Sequence, residues 1–140
     1  CSGHWLLLGI HAGVIVIVSA DAFGDEMHTR FRPITKHELL DAIREYGDDT
    51  ASAQIRYGIM DSWDTGMITD MSSLFGVWGR HPYSQFNEAI GSWNTSSVFT
   101  MKEMFMGASG FNQPIGSWNI DRVHDMGLMF RGCTSFNQPI

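Results

Sequence analysis

The chain has 140 residues and a formal charge of −6, which fits one small domain or a piece of a larger protein. A hydrophobic fraction of 44% is ordinary for a folding chain and sets disorder aside. The mild acidity, with no cluster of Lys or Arg, argues against nucleic acid as a partner. Two cysteines, Cys1 and Cys133, supply neither a disulfide framework nor a metal-binding spacing.

The chain opens on Cys1 rather than Met, and "FNQPI" at its end repeats an earlier stretch, so it reads as a piece cut from a longer protein. Residues 1–22 are expected to be a signal peptide. An apolar run from Trp5 to Val18 is followed by Ala20-Asp21-Ala22, an A-x-A cleavage pattern. The run is short for a membrane span, which needs about 20 apolar residues, and His11 interrupts it. No Lys or Arg precedes it. The alternative reading is a buried hydrophobic strand or helix. Cleavage after Ala22 would deliver the chain to an oxidising compartment.

Residues 23–59 are expected to form an N-terminal cap on the remainder of the chain. Thr35 and Glu38 match the S/T-x-x-E capping box. Leu39, Leu40, Ile43 and Tyr46 then form one apolar stripe, and Gly47 supplies a left-handed stop, so a helix is expected over 36–46. Its solvated face carries Lys36, Asp41, Arg44 and Glu45. Residues 47–54, including Asp48-Asp49, read as a loop.

From residue 60 onward the chain repeats itself. Set against each other without a gap, 86–110 and 111–135 agree at 12 of 25 positions. An earlier unit aligns through Trp63, Trp93 and Trp118; Ile68, Val98 and Val123; Met71, Met101 and Met126; and Phe75, Phe105 and Phe130. Its interval is 30, the five extra residues lying between Phe75 and Phe86. A fixed period of this length marks stacked units that bury their apolar faces on one another. Within each unit "IGSWN" reads as a short extended segment. Val98, Met101, Met104 and Phe105 follow helical spacing over about two turns, ended by Gly107. The array is expected to continue past Ile140 or to be capped there.

"FNQPIGSWN" (Phe111–Asn119), with Val123, Asp125, Met126, Met129 and Phe130, resembles the 25-residue repeat of the BspA-like leucine-rich-repeat surface proteins. That repeat also occurs in mycoplasma lipoproteins and in proteins of microbial eukaryotes. "WDTGMITDMSSLF" (Trp63–Phe75) is similar to the same consensus. The resemblance implies an α/β, right-handed solenoid of short strands and short helices behind an N-terminal capping helix. It also implies a secreted or surface-attached protein used in adhesion and protein interaction, with no family-wide catalytic residues. The insertion after Phe75 and the lack of a visible anchor depart from the family pattern.

Most chemistry-bearing residues have an ordinary structural reading. Met101, Met104, Met106, Met126 and Met129 recur in register with apolar residues, which favours core packing over a thioether copper site. Phe86 and Phe111 join Trp63, Met71, Phe75, Trp93, Met101, Phe105, Trp118, Met126 and Phe130 as expected repeat core. Asp64, Asn94 and Asn119, like Asn87, Asn112 and Asn137, suit corners where a short polar side chain bonds the backbone, in preference to calcium. Asn94-Thr95-Ser96 is a glycosylation sequon. His4, His11, His28, His37, His81 and His124 have no ligand spacing, and Cys133 aligns with Ala108 as a small core residue. No catalytic triad, phosphate loop, paired carboxylates, metal site or cofactor motif is present. The insertion at 76–85 is the binding candidate, because it adds Trp78, Arg80, His81 and Tyr83, residue types common as interface anchors. The expected function is non-catalytic recognition of protein or glycan at a cell surface. The alternatives are a spacer without a ligand, and a substrate-binding segment of a larger secreted enzyme.

Overall fold

The computed structural model describes residues 5–11, 14–19, 30–76 and 83–140, the first two stretches as paired backbone only. The apolar run read as a signal peptide forms a hairpin there. Strands β1 (Trp5–His11) and β2 (Val14–Ser19) pair antiparallel, with Trp5 opposite Ser19 and His11 opposite Val14. The alternating Val and Ile of β2 suit a pleated strand. The expected cleavage site at 20–22 lies outside the described residues. Among the described residues no helix is long and apolar enough to cross a membrane.

Helix α1 runs Lys36–Asp48 and starts as the sequence predicts. The Thr35 hydroxyl accepts from the Glu38 amide at 3.2 Å, and the Glu38 carboxylate accepts from the backbone N–H groups of Ile34 and Thr35. Replacing Thr35 by Ala is expected to cost about 1 kcal/mol, to be read from urea unfolding. Leu39, Ala42, Ile43 and Tyr46 are buried. The expected stop at Gly47 does not occur. The chain leaves the helix at Asp49, whose extended backbone ends α1 and begins a second helix, α2 (Thr50–Tyr57). This helix lies where a loop was expected. Asp49 caps it by accepting from the Ser52 amide at 3.1 Å and hydroxyl at 2.6 Å. Gly58, at φ +75°, ends it. Arg56 pairs with Glu45 at 2.7 Å, and Gln54 donates to the Tyr46 hydroxyl, tying the two helices together.

Among the described residues, the repeats, numbered 1 (60–85), 2 (86–110) and 3 (111–135), do not contain the expected strands and helices. Among the described residues, both helices of eight or more residues precede residue 60, and the paired strands lie at 5–19. Between repeats, among the described residues, there are only isolated parallel bridges, Asp70 to Thr100 and Thr100 to Asp125. The α/β, leucine-rich-repeat-like architecture is therefore corrected to a stack of irregular turns capped by two helices. Ser73, Glu103 and Leu128 occupy equivalent positions and all adopt left-handed backbone, at φ 56°, 57° and 60°. A left-handed residue breaks both helix and strand, at about 1–2 kcal/mol for a side chain other than glycine.

Hydrogen bonds along the stack hold this conformation. Amides of Met71, Ser73 and Phe75 donate to carbonyls of Thr100, Lys102 and Met104. One repeat further on, Met101, Glu103, Phe105 and Gly107 donate to Asp125, Gly127, Met129 and Arg131. Every second peptide thus lies along the stack, its N–H pointing onward. An α-helix would need those same N–H groups for its own i−4 carbonyls.

Aromatic rings fill the interior in columns. Phe75, Phe105 and Phe130 stack at centroid spacings of 5.5 and 5.8 Å, and Phe86, Phe111 and Phe136 at 5.8 and 5.8 Å. The two columns touch through Phe75–Phe86 at 3.9 Å and Phe105–Phe111 at 4.0 Å. Trp63 stacks on Trp93 at 6.2 Å. Phe31, Tyr46 and Tyr57 surround Trp63 at 5.1–6.0 Å, so the two-helix segment seals that end of the core. The Phe31 carbonyl also accepts from the Asp64 amide at 2.8 Å.

Candidate functional site

The residues identical between repeats 2 and 3 are largely those that point inward. In repeat 2, Ile90, Trp93, Val98, Met101, Met104 and Phe105 are all buried. Each buried indole also has its N–H satisfied: Trp93 donates to the Met60 carbonyl at 2.8 Å and Trp118 to the Ile90 carbonyl at 3.2 Å. Trp63, Met71, Phe75 and Phe111 are buried as well, while Phe86 and Phe130 are half-buried. Met126 is 37% exposed although its equivalent Met101 is sealed, because no further repeat lies over it among the described residues.

Corner polar residues bond backbone rather than converge on an ion. Asn87 Oδ1 accepts from the Asn112 amide at 2.8 Å, and Asn112 Oδ1 from the Asn137 amide at 2.9 Å. Asp64, Asn94 and Asn119 each accept from the amide two residues on. Among the described residues no group of His, Cys, Asp and Glu is placed to hold a metal. Asn94 itself is exposed, with its Oδ1 engaged by Ser96. Cys133 is half-buried, its thiol donating to the Phe105 carbonyl at 2.9 Å, and burial pushes its pKa up.

Of the insertion candidates, Trp78, Arg80 and His81 lie outside the described residues. Tyr83 is half-buried, packed edge-on against Phe75 at 6.1 Å. Burial raises the pKa of its hydroxyl, with Arg44 and Asp48 of α1 nearby. Its ring is thus partly committed to packing.

The structure brings another set of side chains together. Positions 67, 97 and 122, 69, 99 and 124, and 72, 102 and 127 align on the outer face of the stack. There the residues change from repeat to repeat: Met67, Ser97, Arg122; Thr69, Phe99, His124; Ser72, Lys102, Gly127. Met67 is 46% and Phe99 48% exposed, and Lys102, Arg122 and His124 are exposed. The backbone beneath is fixed, since Phe99 donates to Thr69 and His124 to Phe99, both at 2.9 Å. At the capped end Lys36 reaches onto this face, 3.0 Å from Asp70 and 2.7 Å from Ser72. Burial raises the Asp70 pKa, but the Ser72 hydrogen bonds and Lys36 outweigh it and hold the carboxyl below its usual range. Sequence reasoning missed this surface. Its signal is a difference between repeats, at positions flanked by identities.

A repeat stack with a largely repeated apolar interior and a changing outer face is the class of protein these features define. The chain belongs to the family described as Mycoplasma protein of unknown function, DUF285, whose model matches residues 46–140. That span begins inside α1 at Tyr46, one of the rings that seal Trp63. No curated protein matches the chain, and no solved structure does.

Proposed function

We propose that this chain is a non-catalytic recognition module of a secreted or cell-surface protein, binding protein or glycan through the outer face of the stack. The observation that carries this reading is the contrast between inside and outside. Most equivalent inward positions of repeats 2 and 3 keep their residue and the rest stay mainly apolar, while outward positions on a rigid backbone change and include exposed Phe99, Met67 and Arg122. Exposed aromatic and Arg side chains on a pre-ordered surface supply contact area at low entropic cost. The resemblance of the repeats to BspA-like surface proteins supports the same location. The insertion, with Trp78, Arg80 and His81 beside Tyr83, is proposed as a second contact region.

The test is binding of the 140-residue chain to arrayed glycans and extracellular proteins, with three variants measured beside it. Phe99→Ser and Arg122→Ser should weaken a captured ligand about tenfold or more, the size of one lost anchor contact. Trp78→Ala probes the insertion. The melting temperature of each variant should stay near that of the parent. A ligand indifferent to all three changes would sink this surface, and the absence of any ligand would favour a spacer.

A further inference from the structure

We infer that the groove beside the G/D-S-W corners of the repeats binds an extended protein segment that carries a lysine or arginine. The groove has a volume of about 470 Å³, inside the roughly 300–1,000 Å³ of small-ligand sites. It begins at Asp61 of repeat 1, passes Gly91 and Ser92 of repeat 2, and reaches Gly116 and Ser117 of repeat 3. These are equivalent positions in successive repeats, so the groove runs along the side of the stack and not across its end. It shares no residue with the outer face of Met67, Phe99 and Arg122.

A departure from the repeat sets the chemistry of the groove. Positions 91 and 116 are glycine, so bare backbone lines it there, but the aligned residue of repeat 1 is Asp61. The Ser92 amide and hydroxyl each donate to the Asp61 carboxylate at 2.8 Å and fix it in place. Among the described residues Asp61 is the only ionisable one that lines the groove, and no Lys, Arg or His lies within ion-pair distance of it. Pro114, Pro139 and Ala89 supply apolar surface beside it. An immobile carboxylate without a counter-ion next to apolar surface suits a cation on an aliphatic stem. Lys and Arg lay their methylenes on such surface and carry the charge on to a partner. One repeat further on, the corner lacks a carboxylate. The amides of exposed Gly116 and Ser117 have no acceptor among the described residues, although the equivalent Ser92 amide has Asp61. A peptide carbonyl can accept from them and a free ammonium ion cannot, which selects a protein segment over a small amine. Charge opposes a second copy of this chain, since each copy carries −6. Arg32, Lys36, Arg44 and Arg56 are also paired with its own carboxylates.

The probe is the capped peptide acetyl-Ala-Ala-Lys-Ala-Ala-amide, titrated into the isotope-labelled 140-residue chain and followed by amide chemical shifts. The shifts should centre on Gly91, Ser92, Gly116 and Ser117. Norleucine in place of the lysine keeps the stem without the charge and should bind at least tenfold more weakly. Asp61→Asn in the protein keeps an acceptor for the Ser92 amide; it should weaken the lysine peptide at least tenfold and leave the unfolding midpoint in place. Ala89→Lys, a change at an exposed residue, puts the protein's own ammonium in the groove and should block the peptide to the same extent. Phe99→Ser should leave the peptide affinity unchanged, which separates this groove from the outer face. The inference is overturned if the lysine peptide leaves the four amides unmoved, if the norleucine peptide binds equally, or if Asp61→Asn has no effect. Butylamine acting as strongly as the peptide would make the groove a small-amine site and overturn it. Shifts that grow with protein concentration alone would put a second copy there and overturn it as well.

Discussion

Replacing Phe105 by Ala is expected to destabilise the chain by about 3–5 kcal/mol, the range for removing a large side chain from a core that cannot collapse around the gap. Phe105 is fully buried and meets four rings. Phe75 lies at 5.5 Å, Phe130 at 5.8 Å, Phe111 at 4.0 Å and Trp118 at 6.2 Å. Its own amide is committed to the Met129 carbonyl at 3.0 Å, so the backbone has little freedom to move into the cavity. Phe130→Ala removes the equivalent ring at a half-buried position and should cost less. Equilibrium denaturation of the two variants reads the difference. A loss below about 1 kcal/mol at Phe105, well outside the range for a buried aromatic, would mean that the columns do not carry the stability of the stack.

The same residue shows what the sequence made legible. The spacing of Val98, Met101, Met104 and Phe105 identifies four residues that are indeed buried. It does not identify the element that buries them. Inward positions three or four apart are shared by a helix face and by stacked turns. The left-handed residues that decide between the two are Ser73, Glu103 and Leu128, none of them glycine, so composition gives no warning. A local hint was present in Asp70-Met71-Ser72 and Asp125-Met126-Gly127. There a carboxylate bonds the amide two residues on, at 2.7 and 2.8 Å, and competes with helix formation. Helix α1 was readable because its capping box and its stripe agree. Helix α2 was not, because Gly47 and Asp48 suggest a break just before Asp49 and Ser52 supply a new cap.

The outer face was hidden for a different reason. Repeats draw the eye to identities, and identities report packing. Thr69, Phe99 and His124 become a surface only once their backbone bonds place them in one row. Phe99 alone, between Val98 and Thr100, reads as one more apolar residue of the repeat. Its exposure in the stack separates it from the core.

Gly91→Ala is expected to cost about 1–3 kcal/mol, the penalty for forcing extra volume into a packed site. A Cβ at position 91 would sit 2.6 Å from the Pro114 carbonyl oxygen, and the obstacle is backbone rather than a flexible side chain. Neither partner can retreat freely. Trp118 donates to the Ile90 carbonyl, Ser117 donates to the Gly91 carbonyl at 3.3 Å, and Ile115 beside Pro114 is buried. In repeat 1 the aligned position holds Asp61, which is accommodated in a 3-10 turn and binds the Ser92 amide and hydroxyl at 2.8 Å each. Glycine at 91 is thus set by the approach of repeat 3 and not by a left-handed backbone. Gly116→Ala meets the Pro139 carbonyl oxygen at the longer distance of 3.0 Å and should cost less. Chemical unfolding of both variants tests the ordering. Equal losses would mean that the Pro114 and Pro139 corners are equally held, and no loss at Gly91 would mean that the close approach between repeats 2 and 3 is relieved by a movement of the Pro114 carbonyl.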